Sequence, residues 1–254
     1  MGAQRPGKVV VIGAGIGGLA AAALLAASGA EVIVVEKEAT VGGKARRVLA
    51  DGVAIDAGPT VFTMRDVFDA IFRAGGHELD AFVTVRRAEI LARHAWSETE
   101  RLDLFADPAR SEDAIGAFAG AREAAGYRAF RAEAKRIHAI LDASFMRAGK
   151  VSWPGPLMWR IGLWRLGALH AIRPYESMWN ALGGHFRDPR LQQLFGRYAT
   201  YCGSSPFRAP ATLMLVAHVE ASGVWLIEGG VSALAQGLRT LAEGCGARFV
   251  LGRR

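Results

Sequence analysis

The apolar positions at the start of the chain come in short, dense blocks. Lys8 to Ile12 (KVVVI) is a β-branched run of the kind that forms a buried parallel strand. Leu19 to Ser28 is rich in alanine and leucine, which predicts a buried helix, and Gly29 stands in the position that closes it. Glu31 to Val35 (EVIVV) predicts a second strand, with Glu36 at its end. Further along, Met64, Val67, Phe68, Ile71 and Phe72 recur at helical spacing, with Thr63 placed to cap the helix and Gly75-Gly76 to end it. That stripe reads as core.

Beyond it, Phe82–Val85 and Leu102–Phe105 are strand-like. Ser111 to Phe145 predicts two helices split at Gly126, with alternating Arg and Glu on a solvated face. After Asp188-Pro189-Arg190 a helix is expected from Leu191 into Tyr201, then a turn at Cys202–Pro206. An apolar helix follows from Pro210 to Glu220, a second from Ser232 to Gly244, and a strand at Arg248–Leu251.

Val151 to Leu182 breaks this pattern. It holds Trp153, Trp159, Trp164 and Trp179, with Arg160, Arg165 and Arg173 among leucines, isoleucine and methionine. Tryptophan and arginine on an apolar helix suit a membrane interface, although a buried helix with snorkelling arginines has the same composition. The run is too interrupted by arginine to span a bilayer.

Between the first strand and the first helix lies Gly13-Ala14-Gly15-Ile16-Gly17-Gly18, a GxGxxG at positions 13, 15 and 18. Gly13 permits the tight strand-to-helix turn, Gly15 lets backbone approach a pyrophosphate, and Gly18 lets helix and strand pack closely. The pyrophosphate is expected on the helix N-terminus, whose N–H groups lack partners. Glu36 lies about 20 residues on, where a carboxylate accepts from ribose hydroxyls. An isolated GxGxxG is weak; this one has its strand, its helix and its acid. It also argues against reading the uncharged stretch from Val9 to Ala30 as a membrane span or secretory signal.

Composition adds little but excludes much. The 254 residues are 51% hydrophobic and 22% charged, which rules out general disorder. The formal charge of +7 favours anionic partners, but the basic residues are interspersed with acids and carry no nucleic-acid recognition motif, so no nucleic acid is expected. Cys202 and Cys245 have no paired spacing, and the six histidines show no metal-ligand spacing, so neither a disulfide framework nor a metal is expected. Ser204 and Ser205 lack the setting of a nucleophile.

Val41-Gly42-Gly43-Lys44-Ala45-Arg46 resembles the second glycine motif of FAD enzymes related to amine oxidases and carotenoid desaturases. Asp56-Ala57-Gly58-Pro59-Thr60 resembles the desaturase segment that passes close to the flavin. Together with Asp56–Phe72, Leu91–Trp96 and His185–Glu220, these stretches make the chain similar to bacterial carotenoid desaturases of the phytoene-dehydrogenase type, in the branch acting on hydroxylated or methoxylated acyclic carotenoids.

The resemblance implies an α/β fold: a Rossmann-type FAD-binding domain in two pieces, residues 1–75 and 226–254, with an α+β substrate and membrane domain at 76–225 inserted between them. It implies FAD held by Gly13, Gly15, Gly18, Glu36, Gly42, Gly43, Lys44, Arg46, Asp56, Gly58, Pro59, Thr60, Gly229 and Gly230. Arg197, Tyr198 and Tyr201 are expected either to line the substrate site or simply to pack; no catalytic base is named. The partners implied are an acyclic carotenoid and a membrane surface, with the protein in the cytoplasm, peripherally attached to the inner or intracytoplasmic membrane. Family members are longer and carry a C-terminal glycine-rich FAD segment. This chain is therefore expected to lack part of the flavin cover and to leave a sheet edge open. An amine-oxidase-like flavoenzyme and an inactive membrane-associated FAD-fold fragment are the alternatives.

Overall fold

The computed structural model describes residues 7–142, 146–147 and 166–253. In chain order the elements are β1 (Lys8–Ile12), α1 (Ile16–Ala27), β2 (Glu31–Val35), β3 (Arg47–Ala50), β4 (Val53–Asp56), α2 (Arg65–Ala74) and β5 (Val85–Arg87). Then come β6 (Ile90–Ala95), β7 (Arg101–Phe105), α3 (Pro108–Ala119), α4 (Ala121–Leu141), α5 (Leu166–Ala171), α6 (Met178–His185), α7 (Pro189–Gly196) and α8 (Leu215–Ser222). The chain finishes through β8 (Trp225–Ile227), α9 (Val231–Gly244) and β9 (Arg248–Val250). Most of the Trp/Arg-rich stretch lies outside the described residues.

The chain forms two compact units. One comprises Met1–Ala88 with Val224–Arg254, the other Glu89–Gly223. The first crossing comes later than residue 75 because a 3₁₀ turn at Leu79–Ala81 and strand β5 stay with the first unit, where β5 pairs antiparallel with β8.

In the first unit β1, β2 and β9 form a parallel sheet in the order β1-β2-β9. Helix α1 buries Leu19, Ala22, Ala23 and Ala26, one face at i, i+3, i+4, i+7, and packs on α9 through its small side chains. Gly29 takes φ +89° and stops α1 as its position suggests. The expectation that β1 is a buried strand is half right. Its pairing is parallel, but it stands at the edge of the sheet, and Val10 and Ile12 are 60% and 89% exposed. The β-branched run is satisfied on one face only. Thr63 does not cap α2: the residue before that helix is Met64, in the left-handed region at φ +51°, with no side-chain cap. Asp66 in the first turn supplies the favourable charge instead.

The second unit packs the β6–β7 hairpin and helices α3, α4, α6, α7 and α8 around Phe130, Phe186, Phe195 and Tyr198. The rings of Phe186 and Phe195 stack at 4.9 Å. The predicted helix break at Gly126 is wrong. The break falls at Gly120, whose φ of +97° only glycine adopts readily, and Asp107 caps α3 through the N–H of Ala109. The helix expected from Leu191 into Tyr201 also divides: α7 starts at Pro189, capped by Asp188, and Arg197–Cys202 is a 3₁₀ turn.

Gly126 has a different task, inside α4. A Cβ there would lie 2.2 Å from the carbonyl oxygen of His185. Helix propensity alone favours Gly126→Ala by up to about 1 kcal/mol. Overpacking against backbone costs about 1–3 kcal/mol and prevails. The variant is expected to melt several degrees below the parent; an equal or higher midpoint would mean that α4 and α6 do not approach this closely.

Candidate functional site

The first unit gathers the glycine motifs at the C-terminal end of β1, where the sheet meets the N-terminus of α1. The chain leaves β1 through Gly13 at φ +96°, its N–H donating to the Val35 carbonyl at 2.8 Å. Gly18 is fixed by sterics: a Cβ there would lie 1.9 Å from the Gly13 carbonyl oxygen. The second glycine motif folds over the first. Gly42 donates its N–H to the Ala14 carbonyl at 2.7 Å and bridges to Gly15, and a Cβ on Gly43 would lie 3.1 Å from the Cα of Gly15. Six glycines, 13, 15, 17, 18, 42 and 43, thus leave bare backbone around one helix terminus. Such a terminus presents N–H groups and a positive dipole end to an anion.

Glu36 closes the cradle. It is 8% exposed, its Oε2 accepting from the Ala14 N–H at 2.6 Å and its Oε1 from the Glu38 N–H at 3.0 Å. Those N–H groups, Glu38 first and then Ala14, hold its carboxyl below the usual range against the opposing effect of burial. The carboxylate is therefore oriented by the loop it supports, and keeps lone pairs for hydroxyl donors.

This gives a pH-dependent prediction. A folded-state pKa below the unfolded value of 4.5 contributes stability above that pH and loses it as pH falls through the folded pKa. Glu36→Gln is expected to destabilise the chain by about 1–3 kcal/mol at neutral pH. The gap in urea midpoints between parent and variant should narrow as the pH drops below about 4.5; a gap independent of pH would contradict this role.

The remaining predicted positions form a neighbouring cluster in the same unit. Asp56 ends β4 opposite Arg47 on β3, with Arg47 Nε 3.7 Å from Asp56 Oδ1. Arg47 also donates to the Gly229 carbonyl. Gly229 and Gly230 adopt φ +77° and +81°, and a Cβ on Gly230 would strike the Asp56 carboxylate. Gly58 lies against the Lys44 carbonyl, where its Cβ would be at 1.9 Å. The side chains of Lys44 and Arg46 are exposed, as are Pro59 and Thr60. Arg46, Arg47, Thr40, Phe82, Ser232 and Gln236 help to line a cavity of about 710 Å³. Asp56 Oδ1 and Ser232 Oγ are buried without hydrogen-bond partners. Unsatisfied polar atoms beside a glycine cradle fit a polar, hydroxyl-bearing ligand.

Arg47 follows Lys44 and Arg46 in the basic run after the second glycine motif, a run the sequence offers either as neutralising a pyrophosphate or as a solvated turn. The Asp51-Gly52 dipeptide, a two-residue hairpin turn with φ +48° and +80°, sets Arg47 opposite Asp56.

The residues expected either to line a substrate site or to pack lie in the second unit, where Arg197 and Tyr198 meet the carboxylate of Glu220 and Arg197 also lines a cavity with Trp179, Gln193 and Phe207. Arg197 Nη2 donates to both oxygens of Glu220 at 2.8 and 2.6 Å, and the Tyr198 hydroxyl donates to the same carboxylate. Burial drives the Tyr198 pKa well above its ordinary value. Tyr201 is half exposed.

Fold and cradle together define a Rossmann-like dinucleotide-binding protein. Residues 11–74 match the NAD(P)-binding Rossmann-like domain. Putrescine oxidase bound to putrescine is similar in fold, with a TM-score of 0.59 over 98% of this chain and 51% of that one, at 16% identity. More specifically, the chain is 49% identical to hydroxyneurosporene desaturase of Rubrivivax gelatinosus, over 98% of this chain and 49% of that protein. It is 45% identical to the hydroxyneurosporene desaturase of Rhodobacter capsulatus, over 97% of this chain and 49% of the relative. Against phytoene dehydrogenase of Streptomyces griseus it is 35% identical over 97% and 48%. Over nearly its whole length the chain is similar to carotenoid desaturases, and it spans about half the length of the curated relatives it matches.

Proposed function

We propose that the chain serves FAD-dependent desaturation of a C–C bond in a hydroxylated or methoxylated acyclic carotenoid. The observation that carries this reading is 49% identity to a hydroxyneurosporene desaturase along a chain whose glycine motifs and Glu36 close into one dinucleotide cradle. The amine-oxidase-like alternative has only a likeness of fold behind it.

In this reading the N–H groups at the start of α1 hold the pyrophosphate, and Glu36 accepts from the ribose. Gly42 and Gly43 let the second loop lie against the cofactor, and Lys44 and Arg46 flank it with positive charge. Asp56, Gly58, Pro59, Thr60, Gly229 and Gly230 shape the neighbouring wall. Bound FAD would supply a hydride acceptor for an allylic C–H bond beside a polyene. The chain's own contribution is electrostatic and positional: fixed N–H dipoles and an oriented carboxylate need no reorganisation when the cofactor arrives.

The substrate is lipid-soluble, and among the described residues no helix is long and apolar enough to cross a membrane. Delivery therefore calls for peripheral contact with the bilayer, which the net charge of +7 favours on anionic lipid. The test is incubation with FAD and a hydroxylated acyclic carotenoid in liposomes. A red shift of the polyene absorption that requires both protein and flavin is expected. Retained flavin with no spectral change for any hydroxylated or methoxylated acyclic carotenoid would refute the assignment.

A further inference from the structure

The second unit contains a groove of its own between α4 and α8. Arg128, Arg131 and Lys135 stand at i, i+3 and i+7 on α4 and face His218 on α8 across a cavity of about 280 Å³. Its remaining lining is alanine: Ala132, Ala217 and Ala221. Like charges clustered on one helix face repel, and an anion placed among them relieves that repulsion.

The chain itself supplies little counter-charge. Arg128 reaches Glu112 on α3 at 3.2 Å. Among the described residues, Arg131 and Lys135 have no ion pair, and the Arg131 Nε is buried with no hydrogen-bond partner. The Arg131 guanidinium lies 5.6 Å from the Tyr127 ring, which supplies only a weak cation–π contact. Glu220, two residues beyond His218, is committed to Arg197 and Tyr198. On the other side the ring of His218 meets that of His138 edge-on at 4.8 Å, and His138 lies 3.9 Å from Asp142, which also holds Arg147 at 3.0 Å. Burial first, then His138, Lys135 and Arg131, push the His218 pKa below its ordinary value.

We propose that this groove binds a phosphate ester, the anionic phosphate lying between Arg131, Lys135 and His218. Guanidinium, ammonium and imidazole groups supply donors from several directions, which suits a tetrahedral oxyanion better than a planar carboxylate. The alanines leave room for the ester's organic part. The same chemistry is offered by a phospholipid headgroup and by a soluble phosphate ester.

The test reads the ring-proton resonance of His218 as pH is varied, at low ionic strength, with and without inorganic phosphate. Bound phosphate stabilises the imidazolium, so the midpoint should rise by about one pH unit, a tenfold gain in proton affinity. In Arg131→Gln/Lys135→Gln the midpoint of the free protein should already be higher, and phosphate should no longer move it. Arg86→Gln/Arg87→Gln, which removes the same charge from β5, should keep the full response. Phosphate that leaves parental His218 unmoved, or moves it equally in the Arg131/Lys135 variant, overturns the proposal.

Flotation on phosphatidylcholine vesicles containing phosphatidylglycerol then identifies the source. Flotation lost only in the Arg131/Lys135 variant assigns the site to a lipid headgroup. Equal flotation of both variants, with phosphate sensing lost in one, assigns it to a soluble ester.

Discussion

A Gly18→Ala chain is expected to lose FAD affinity by at least about a hundredfold, whereas Gly17→Ala next to it should stay within about threefold. The added atom is the same and the sequence separation is one residue, so propensity and composition cannot distinguish them. Geometry can. At Gly18 the new Cβ would sit 1.9 Å from the Gly13 carbonyl oxygen and 3.1 Å from its carbon, both backbone, so the turn has to open. At Gly17 a Cβ meets nothing within 4 Å. Opening the turn displaces the α1 N–H groups and the Ala14 N–H that Glu36 accepts, so pyrophosphate and ribose contacts are lost together. Calorimetric titration of both variants with FAD measures the contrast. Equal affinities would mean that the cofactor does not lie on this turn.

The second large effect is expected in the second unit. Glu220→Ala should cost about 3–5 kcal/mol, because Arg197 would be left with a charge and no partner in a largely apolar setting. The Glu220 residue is 3% exposed and serves both Arg197 and the fully enclosed Tyr198 hydroxyl. Burial opposes the charge on Arg197, and the neighbouring carboxylate helps to offset it. Removing the whole polar group is a different matter. Glu220→Leu with Arg197→Met and Tyr198→Phe leaves nothing unpaired and should recover most of the lost stability. Urea denaturation of the single and triple variants separates the two. A triple variant as unstable as Glu220→Ala would show that the cluster contributes more than its own desolvation cost.

The parts of the molecule legible in the sequence are those whose constraint is local. Gly13, Gly15 and Gly18 announce a turn because only glycine meets its backbone demands, and Glu36 follows from the length of one βαβ unit. The β3–β4 hairpin was equally local, since Asp51-Gly52 between apolar runs is a strong turn signal. It was missed because Val48, Leu49, Val53 and Ile55 show no clean alternation, and the structure leaves all four exposed. Gly126 failed for the opposite reason. A glycine in a helical pattern reads as a breaker, and what it accommodates is a carbonyl 59 residues away. The exposure of β1 was beyond periodicity too: KVVVI has the composition of a central strand, and only the pairing order puts it at an edge. The sequence leaves Arg197 and Tyr198 open between lining a substrate site and packing, because arginine and tyrosine do both. Their commitment to Glu220 depends on α8 returning across the 3₁₀ turn.

The most direct test of the account is the visible spectrum of the chain purified in mild detergent with FAD supplied, before and after gel filtration. The cradle predicts one flavin per chain that stays with the protein peak, and none in Gly18→Ala. A folded, monodisperse parent chain whose flavin absorbance is lost on the column would contradict the central claim that these glycines and Glu36 hold the cofactor.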